Sequence, residues 1–451
     1  MTAQWPPAPP PVVPIDALPP QPAADRIKVL HIVTKLRGGG GGNTLLSAAG
    51  MDRGRYDAWI LAAPGGELWD QAEQLGVRSV KLPRLRETIS LFDDVSTYRA
   101  LVRLMRRERF SVVHTHMAKA GVLGRLAARR TGVPIVIHTF HAFPWHDHMS
   151  PGRRRAYVWM ERFARRFAHR FVAVSPRVAR EAVEMRVAPP GTVVVVPSGV
   201  ELDLVPSAPD PLVRSELGIA GDAPLIGTVG RIVKQKSPLD FVRMADLVRR
   251  ERPDARFVWV GDGNEAEGME DEARAEAERL GVDIMFTGYR NDAPRLAASF
   301  DVFVIPSIYE GLGRALTEAM AAARPVVATA VNGVPDLVEP AATGLLSPPN
   351  DPGSLATNVL WLLAHPEAAR RMGQRGRDRV LATFDPGTMC RGLDELYSGL
   401  LGMPVPDEPL GPIFGFGDLD RHMDGDIQDD SQDLRNADVA AVDAKAGRDG
   451  G

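Results

Sequence analysis

The sequence predicts an α/β protein of two doubly wound parallel sheets that face each other across a central crevice. Three features of the 451 residues lead there. Short Val- and Ile-rich runs alternate with helical periodicities, the arrangement of parallel-sheet architecture. The runs are continuous rather than alternating in polarity, as expected where helices cover both faces of a sheet. The stiff stretch Val205-Pro206-Ser207-Ala208-Pro209-Asp210-Pro211 divides one series of runs from the next.

Taken in order, residues 1–25 carry Pro6, Pro7, Pro9, Pro10 and Pro11 and are expected to be an extended, disordered tail. No basic segment leads them and prolines break their apolar stretch, so they do not read as a secretory signal. A first domain over 26–205 offers strands at 27–34, 58–62, 112–115, 135–139, 171–175 and 193–197. A linker is expected over 206–222. A second domain over 223–385 offers strands at 225–229, 257–261, 284–287, 302–305 and 326–328, with helices at 238–250, 265–280 and 315–323. The segment 386–403 holds a last helix, at about 388–401, that follows the second sheet as a crossover, and 404–451 reads as an acidic disordered tail. The carboxyl ends of the two sheets' strands are where a ligand should bind.

Composition narrows the class. With 44% apolar and 25% charged residues the chain is globular, and Gly (43) and Pro (38) supply turns between many short elements. A single cysteine, Cys390, excludes an internal disulfide and a multi-cysteine zinc site. No apolar run approaches the roughly 18 residues of a spanning helix. The expected place is cytoplasmic, with peripheral attachment at the inner face of the plasma membrane as its extension. The net charge of −3 is partitioned: 404–451 carries −8, 1–25 carries −2, and 26–403 carries +7. A mildly basic body suits an anionic substrate or membrane surface, and falls short of the footprint of a nucleic-acid binder.

Several segments carry chemistry. The glycine run 38–42, led by Gly38 and Gly39, follows the first strand and precedes Asn43-Thr44, a plausible helix start. Backbone N–H groups there would approach an anion, although the run reads equally as a flexible loop. It lacks the acidic partner of a dinucleotide fingerprint and the Lys-Ser/Thr of a phosphate loop. In the second domain Arg231 closes the first strand and Lys236 follows, two cations suited to a diphosphate leaving group if they are not merely solvated. Pro306-Ser307-Ile308-Tyr309-Glu310-Gly311-Leu312-Gly313 follows the strand at 302–305 and leads into a helix bearing Glu318. That segment offers backbone donors to a phosphate, one carboxylate to sugar hydroxyls and a second to a ribose.

With these residues in view, the sequence resembles the GT-B glycosyltransferases, specifically the retaining family 4, over about residues 26–402. The resemblance rests on Gly38–Gly39, on Val229-Gly230-Arg231 with Lys236, and on Glu310 and Glu318 separated by seven residues. Arg324-Pro325-Val326-Val327-Ala328-Thr329 and Asn332-Gly333-Val334-Pro335-Asp336 continue it. It implies a GT-B fold of two Rossmann-like domains. It implies that Gly38, Gly39, Arg231, Lys236, Gly311, Leu312 and Gly313 serve the donor diphosphate, and that Glu318 holds the ribose. Glu310 would contact sugar hydroxyls, and His141 matches the family's active-site histidine. The stretch His114-Thr115-His116-Met117-Ala118-Lys119 is similar to the branch making exopolysaccharides, capsules and lipid-linked glycans, with His116 and Lys119 as acceptor-side candidates. The implied reaction moves a sugar with retention from a nucleotide sugar, UDP- or GDP-linked, to a glycan or polyprenyl-linked acceptor without a metal cofactor. Ala323, Ser198, Glu201 and Asp336 depart from the family's usual Gly, Asn, Asp and Glu.

Other readings compete. Six histidines (His114, His116, His138, His141, His146 and His148) fall close together, with His114 and His116 on one face of a strand. A metal site is disfavoured, because Asp147 is the only acidic residue among them. Seven arginines over 153–170 surround a stripe of Ala156, Met160, Phe163 and Phe167. The stripe is expected to pack on the first sheet, with a peripheral contact to an anionic membrane as the alternative. A sugar-nucleotide epimerase would need its own carboxylates in the first domain, and a catalytically silent sugar-nucleotide sensor would not need the full residue set.

Overall fold

The structure is a computed structural model that describes residues 26–403 except 87, 89, 144, 146–148, 201–204, 220 and 264–267. Both expected tails, His146, Asp147, His148 and Glu201 lie outside the described residues. The first domain is a seven-stranded sheet of β1 (Ile27–Lys35), β2 (Tyr56–Ala63), β3 (Arg78–Lys81), β4 (Val112–His116), β5 (Ile135–Phe140), β6 (Arg170–Ala173) and β7 (Val193–Val195), in the order β3-β2-β1-β4-β5-β6-β7. The second is six-stranded: β8 (Leu225–Val229), β9 (Arg256–Val260), β10 (Ile284–Phe286), β11 (Val302–Ile305), β12 (Val326–Thr329) and β13 (Leu345–Ser347), ordered β10-β9-β8-β11-β12-β13. Neighbouring strands pair in parallel throughout both sheets. Strand order reverses between β1 and β4 and between β8 and β11, so each sheet opens its ligand crevice at those carboxyl ends.

The continuous apolar runs are fully buried strands: every residue of β4, β5, β11 and β12 is inaccessible. The two strands the sequence reading omits, β3 and β13, are sheet edges covered on one side only, so they need no long apolar run. A core that includes Phe140, Phe143 and Phe171 of the first domain continues through Leu312, Leu316 and Val334 of the second. The halves therefore share buried surface at the crevice floor.

The segment expected as a linker is fastened down. Asp210 caps a short helix, Pro211–Glu216, by accepting from Leu212 N at 2.9 Å, and Val213 is buried. Arg295 Nε donates to Asp210 at 2.6 Å and its Nη2 to Glu216 at 2.7 Å. The last helix, Pro386–Leu401, starts two residues earlier than expected, at a capping carboxylate: Asp385 accepts from Thr388 N at 2.8 Å, with proline in the first turn. Its Met389, Cys390, Leu393 and Tyr397 pack against Val29, Tyr56, Val112 and Ile137, so the chain returns from the second domain to the first. Ala323 has φ of +57°, where a Cβ is strained, which is a physical reason for glycine at that place.

Candidate active site

The two domains touch through residues without side chains. A Cβ built on Gly311 would lie 1.8 Å from the carbonyl oxygen of His141, and one on Gly333 would lie 3.0 Å from Ser175 Oγ of the first domain. Gly42 faces the Arg314 guanidinium, where a Cβ would stand 2.2 Å from Nη1. The ring of His141 packs 3.5 Å from the Cβ position of Gly40. Helix Gly38–Ala49 begins at Gly38 rather than at Asn43, so the glycine run is the helix's first turn and not a loop before it. Gly41 explains the difference: its Cβ position is 2.9 Å from Lys35 O, so only glycine lets the helix start so close to the strand. Gly38 N donates to Glu67 at 2.9 Å, placing a carboxylate at this helix N-terminus, and Gly39 stands in open space.

On the second-domain side, Arg231 follows β8 and is exposed, and its side chain has no hydrogen bond or ion pair among the described residues. Lys236 and Glu310 form a close ion pair. The Glu310 carboxylate, only 7% exposed, also accepts from Ser307 Oγ at 2.8 Å, while Glu310 N donates to Asn332 Oδ1 at 3.1 Å. Gln235 Nε2 donates to Tyr309 O at 3.0 Å and Ile308 N to Gln235 O at 2.9 Å, so the two loops form one unit. Gly313, with φ of +89°, caps helix Arg314–Ala321, and Leu312 is buried in the shared core. The N–H groups of Gly311, Leu312 and Gly313 make no hydrogen bond among the described residues, leaving donors at a helix N-terminus. Glu318 accepts from Arg314 Nε at 2.8 Å. Ser307, Asn332 and Arg314 were not singled out from sequence; the i,i+4 spacing of Arg314 and Glu318 is the one signal that would have found a pair.

On the first-domain side, histidines gather beneath the crevice. His31 Nδ1 lies 3.1 Å from His116 Nε2, and His116 Nδ1 lies 3.0 Å from His141 Nε2. His114 Nδ1 meets Tyr397 Oη at 2.5 Å and its Nε2 meets Thr139 Oγ1 at 2.6 Å, tying the returning helix to β4. His138 Nδ1 meets Thr115 Oγ1 at 2.9 Å. His114 and His116 do share a strand face, their rings stacked with centroids 4.4 Å apart. Burial pushes His31 down to about 3 and His114, His116 and His138 well below the usual imidazole value. The same desolvation takes His141 to about 4, although one edge of this residue stays partly exposed at the crevice. The five rings are neutral at physiological pH.

The structure places the two acceptor-side candidates, His116 and Lys119, among partners of the first domain. His116 is buried with both ring nitrogens engaged by histidines, so it reaches the crevice only through His141. Lys119 pairs with Asp94 and donates to Thr88 O, which fixes the loop after β3 rather than leaving a free cation. Nitrogens of His31, His114 and His116 lie within 4.8 Å of one another, but a metal could draw them together only by breaking the hydrogen bonds just described.

The arginine-rich helix, Pro151–Ala164, turns differently from expectation. Its buried residues are Val158, Glu161 and Ala164, not the stripe of Ala156, Met160, Phe163 and Phe167. Glu161 pairs with Arg125 Nη2 at 2.6 Å, both inaccessible, and this buried pair sets the inward face. Trp159 is 68% exposed and stacks on Phe163 with centroids 5.9 Å apart. No helix among the described residues is long and apolar enough to cross a membrane. A cavity of about 420 Å³ lined by Asp301, Arg324 and Pro366 opens at the amino ends of β11 and β12, the wrong end of the sheet for the chemistry above.

Known proteins match both halves. The family described as Glycosyl transferase 4-like domain matches residues 38–199, and that described as Glycosyl transferases group 1 matches residues 210–379. The chain is 29% identical to the UDP-Gal:alpha-D-GlcNAc-diphosphoundecaprenol alpha-1,3-galactosyltransferase of Escherichia coli, over 76% of this chain and 89% of that one. It is 32% identical to the alpha-maltose-1-phosphate synthase of Mycolicibacterium smegmatis, over 64% of this chain and 79% of the relative. The structure of Anabaena HepE in complex with UDP and glucose shares the fold, with a TM-score of 0.72 at 22% identity, over 83% of this chain and all (100%) of the other. With two Rossmann-like sheets closing on one crevice and a glycosyltransferase match to each, the chain belongs to the GT-B glycosyltransferases of family 4 type, and it is an enzyme of that class.

Proposed function

We propose that this glycosyltransferase takes a sugar from a nucleoside-diphosphate sugar and delivers it, with retention, to a glycan or polyprenyl-diphosphate-linked acceptor in cell-surface polysaccharide synthesis. The observation that carries the reading is Arg231, an exposed cation without an ionic partner among the described residues, at the carboxyl end of β8 beside the Lys236–Glu310 pair and the N–H groups of Gly311, Leu312 and Gly313, which are likewise unbonded among those residues. Together they supply positive potential where a diphosphate would gain charge as it leaves. The donor is a UDP-sugar in this reading, on the strength of the Escherichia coli relative's name, which also gives a diphosphoundecaprenol acceptor. The acceptor oxygen attacks the anomeric carbon from the face that the diphosphate leaves. The carbon–oxygen bond to phosphate breaks as the new one forms, and the acceptor's proton passes to the departing phosphate oxygen. Arg231 and Lys236 balance the leaving charge without a metal, Glu310 orients sugar hydroxyls, and Glu318 reaches the ribose.

The experiment is a thermal-shift screen with UDP-, GDP- and ADP-sugars in EDTA, followed by NMR of the product's anomeric configuration. A ligand at one hundred times its Kd adds about 2.7 kcal/mol to the native state. The reading expects a shift with a UDP-sugar that disappears in Arg231→Ala, and a product with the donor's configuration. An inverted product rejects the mechanism, and an undiminished shift in Arg231→Ala rejects the site. The face bearing Trp159, Arg155 and Arg162 supports peripheral contact with an anionic membrane. Flotation with anionic liposomes that is unchanged by Trp159→Ser would count against that contact.

A further inference from the structure

Three histidines from three parts of the first sheet form one hydrogen-bonded line. His31 lies in β1, His116 ends β4, and His141 follows β5, with contacts of 3.1 Å and 3.0 Å between successive rings. At the inner end, His31 Nε2 is buried without a partner among the described residues. At the outer end, His141 Nδ1 makes no hydrogen bond among the described residues and belongs to a residue that reaches the crevice.

Three neutral rings hold three N–H groups, and the line can be ordered in two ways. In one, His141 Nε2–H donates to His116 Nδ1 and His116 Nε2–H donates to His31 Nδ1. That order strands the Nε2–H of His31 in the core, a buried donor with no acceptor, which folded proteins rarely keep. In the other, His31 Nδ1–H donates to His116 Nε2 and His116 Nδ1–H donates to His141 Nε2. Only a lone pair is then left unpaired inside, and the last proton sits on His141 Nδ1.

We propose that His31 and His116 are positioning residues that hold His141 as its Nδ1–H tautomer, so that His141 offers a hydrogen-bond donor, and not a base, to an oxygen of the bound substrate. The oxygen is a sugar hydroxyl or a diphosphate oxygen, the two oxygen classes that a nucleotide-sugar donor presents. This deepens the reading of the crevice given above and rests on it for the substrate. It also suits a reaction in which the leaving phosphate takes the acceptor's proton, since a ring fixed as a donor has no lone pair to offer at that atom.

The tautomers can be read without turnover. The ligand-free protein, labelled with ¹⁵N-histidine, is studied at pH 7.5 by two-bond ¹H–¹⁵N correlation, which separates Nδ1–H from Nε2–H rings. Isolated neutral imidazoles favour Nε2–H, so the expected result, Nδ1–H at His31, His116 and His141 together, is diagnostic. An Nε2–H signal at His141 overturns the proposal. His31→Leu removes the innermost donor: the His141 signal should become a tautomer mixture and turnover should fall about tenfold, roughly the worth of one hydrogen bond. His31→Asn, whose amide nitrogen stands near the Nδ1 position, should restore both the single signal and the turnover. A His141 signal unchanged in His31→Leu overturns the relay even if activity falls, because that loss would then be structural. A protein that binds no nucleotide sugar yet shows three Nδ1–H rings would refute the proposed donor and sustain the tautomer assignment.

Discussion

Lowering the pH from 7.5 to 5.5 should destabilise the first domain through its buried histidines, before the carboxylates titrate. His31, His114, His116 and His138 are inaccessible, and burial holds all four far below the ordinary value of 6.5, His31 at about 3. Below pH 6.5 the unfolded chain binds a proton at each ring and the folded chain does not. Stability from these rings is therefore complete above pH 6.5 and lost as pH falls toward the folded values. Each ring loses about 1.4 kcal/mol between pH 7.5 and 5.5, and the four together about 5 kcal/mol, of the order of a whole domain's stability. His141 is left out of that figure because the crevice exposes part of it. Urea unfolding at pH 7.5, 6.5 and 5.5, followed by circular dichroism and tryptophan fluorescence, measures the loss. The His114→Gln variant, whose amide can still meet Tyr397 and Thr139, should show about a quarter less pH dependence. A fall below about 1.4 kcal/mol across the window, one ring's worth, would refute the neutral cluster.

Two further outcomes follow from the packing. Glu161→Gln should cost about 3–5 kcal/mol, because Arg125 keeps its charge inside the fold, and Arg125→Met combined with Glu161→Leu should recover most of it; a denaturant midpoint moved by under about 1 kcal/mol in the single variant would mean that water reaches the pair. Gly311→Ala should lower kcat/KM about 100-fold and lower the melting temperature as well, since the new Cβ must part, at His141 O, two domains that share a core; turnover at the parent rate would show that closure is not needed there.

Most of the fold was legible because its strands are buried on both faces. The predicted and observed bounds of β8 and β11 coincide, at 225–229 and 302–305. Among the strands, those that escaped were half-covered, β3 and β13 at the edges, and the short helix at 211–216 converts a proline-rich spacer into a docked segment. The arginine helix misled for a different reason. Apolar spacing located a stripe, yet the inward face is set by one carboxylate, Glu161, whose partner Arg125 lies on another helix. Pairing across helices leaves no periodic trace in either segment. In the candidate site, residue types singled out Arg231, Lys236, Glu310 and Glu318, whereas the contact between Lys236 and Glu310 depends on two loops meeting and could not be read from either alone.

His31 shows where the missing information was available. It is the one imidazole in the strand Ile-Lys-Val-Leu-His-Ile-Val-Thr-Lys, with inaccessible apolar residues on both sides. A polar ring at the centre of such a strand costs desolvation unless a partner repays it, so its presence in the sequence already demands a buried acceptor or donor nearby. The alternation of His114 and His116 on β4 supplies candidates, and strand order places β4 beside β1, with His31 opposite His114 in register. The glycines tell the same story from the other direction. Gly42, Gly311 and Gly333 read singly as flexible punctuation, but each stands where a Cβ would press on the opposing domain. A ring too polar for its strand and backbones too bare for their loops mark one surface, the floor on which the two domains close, and His141 is the ring that reaches it.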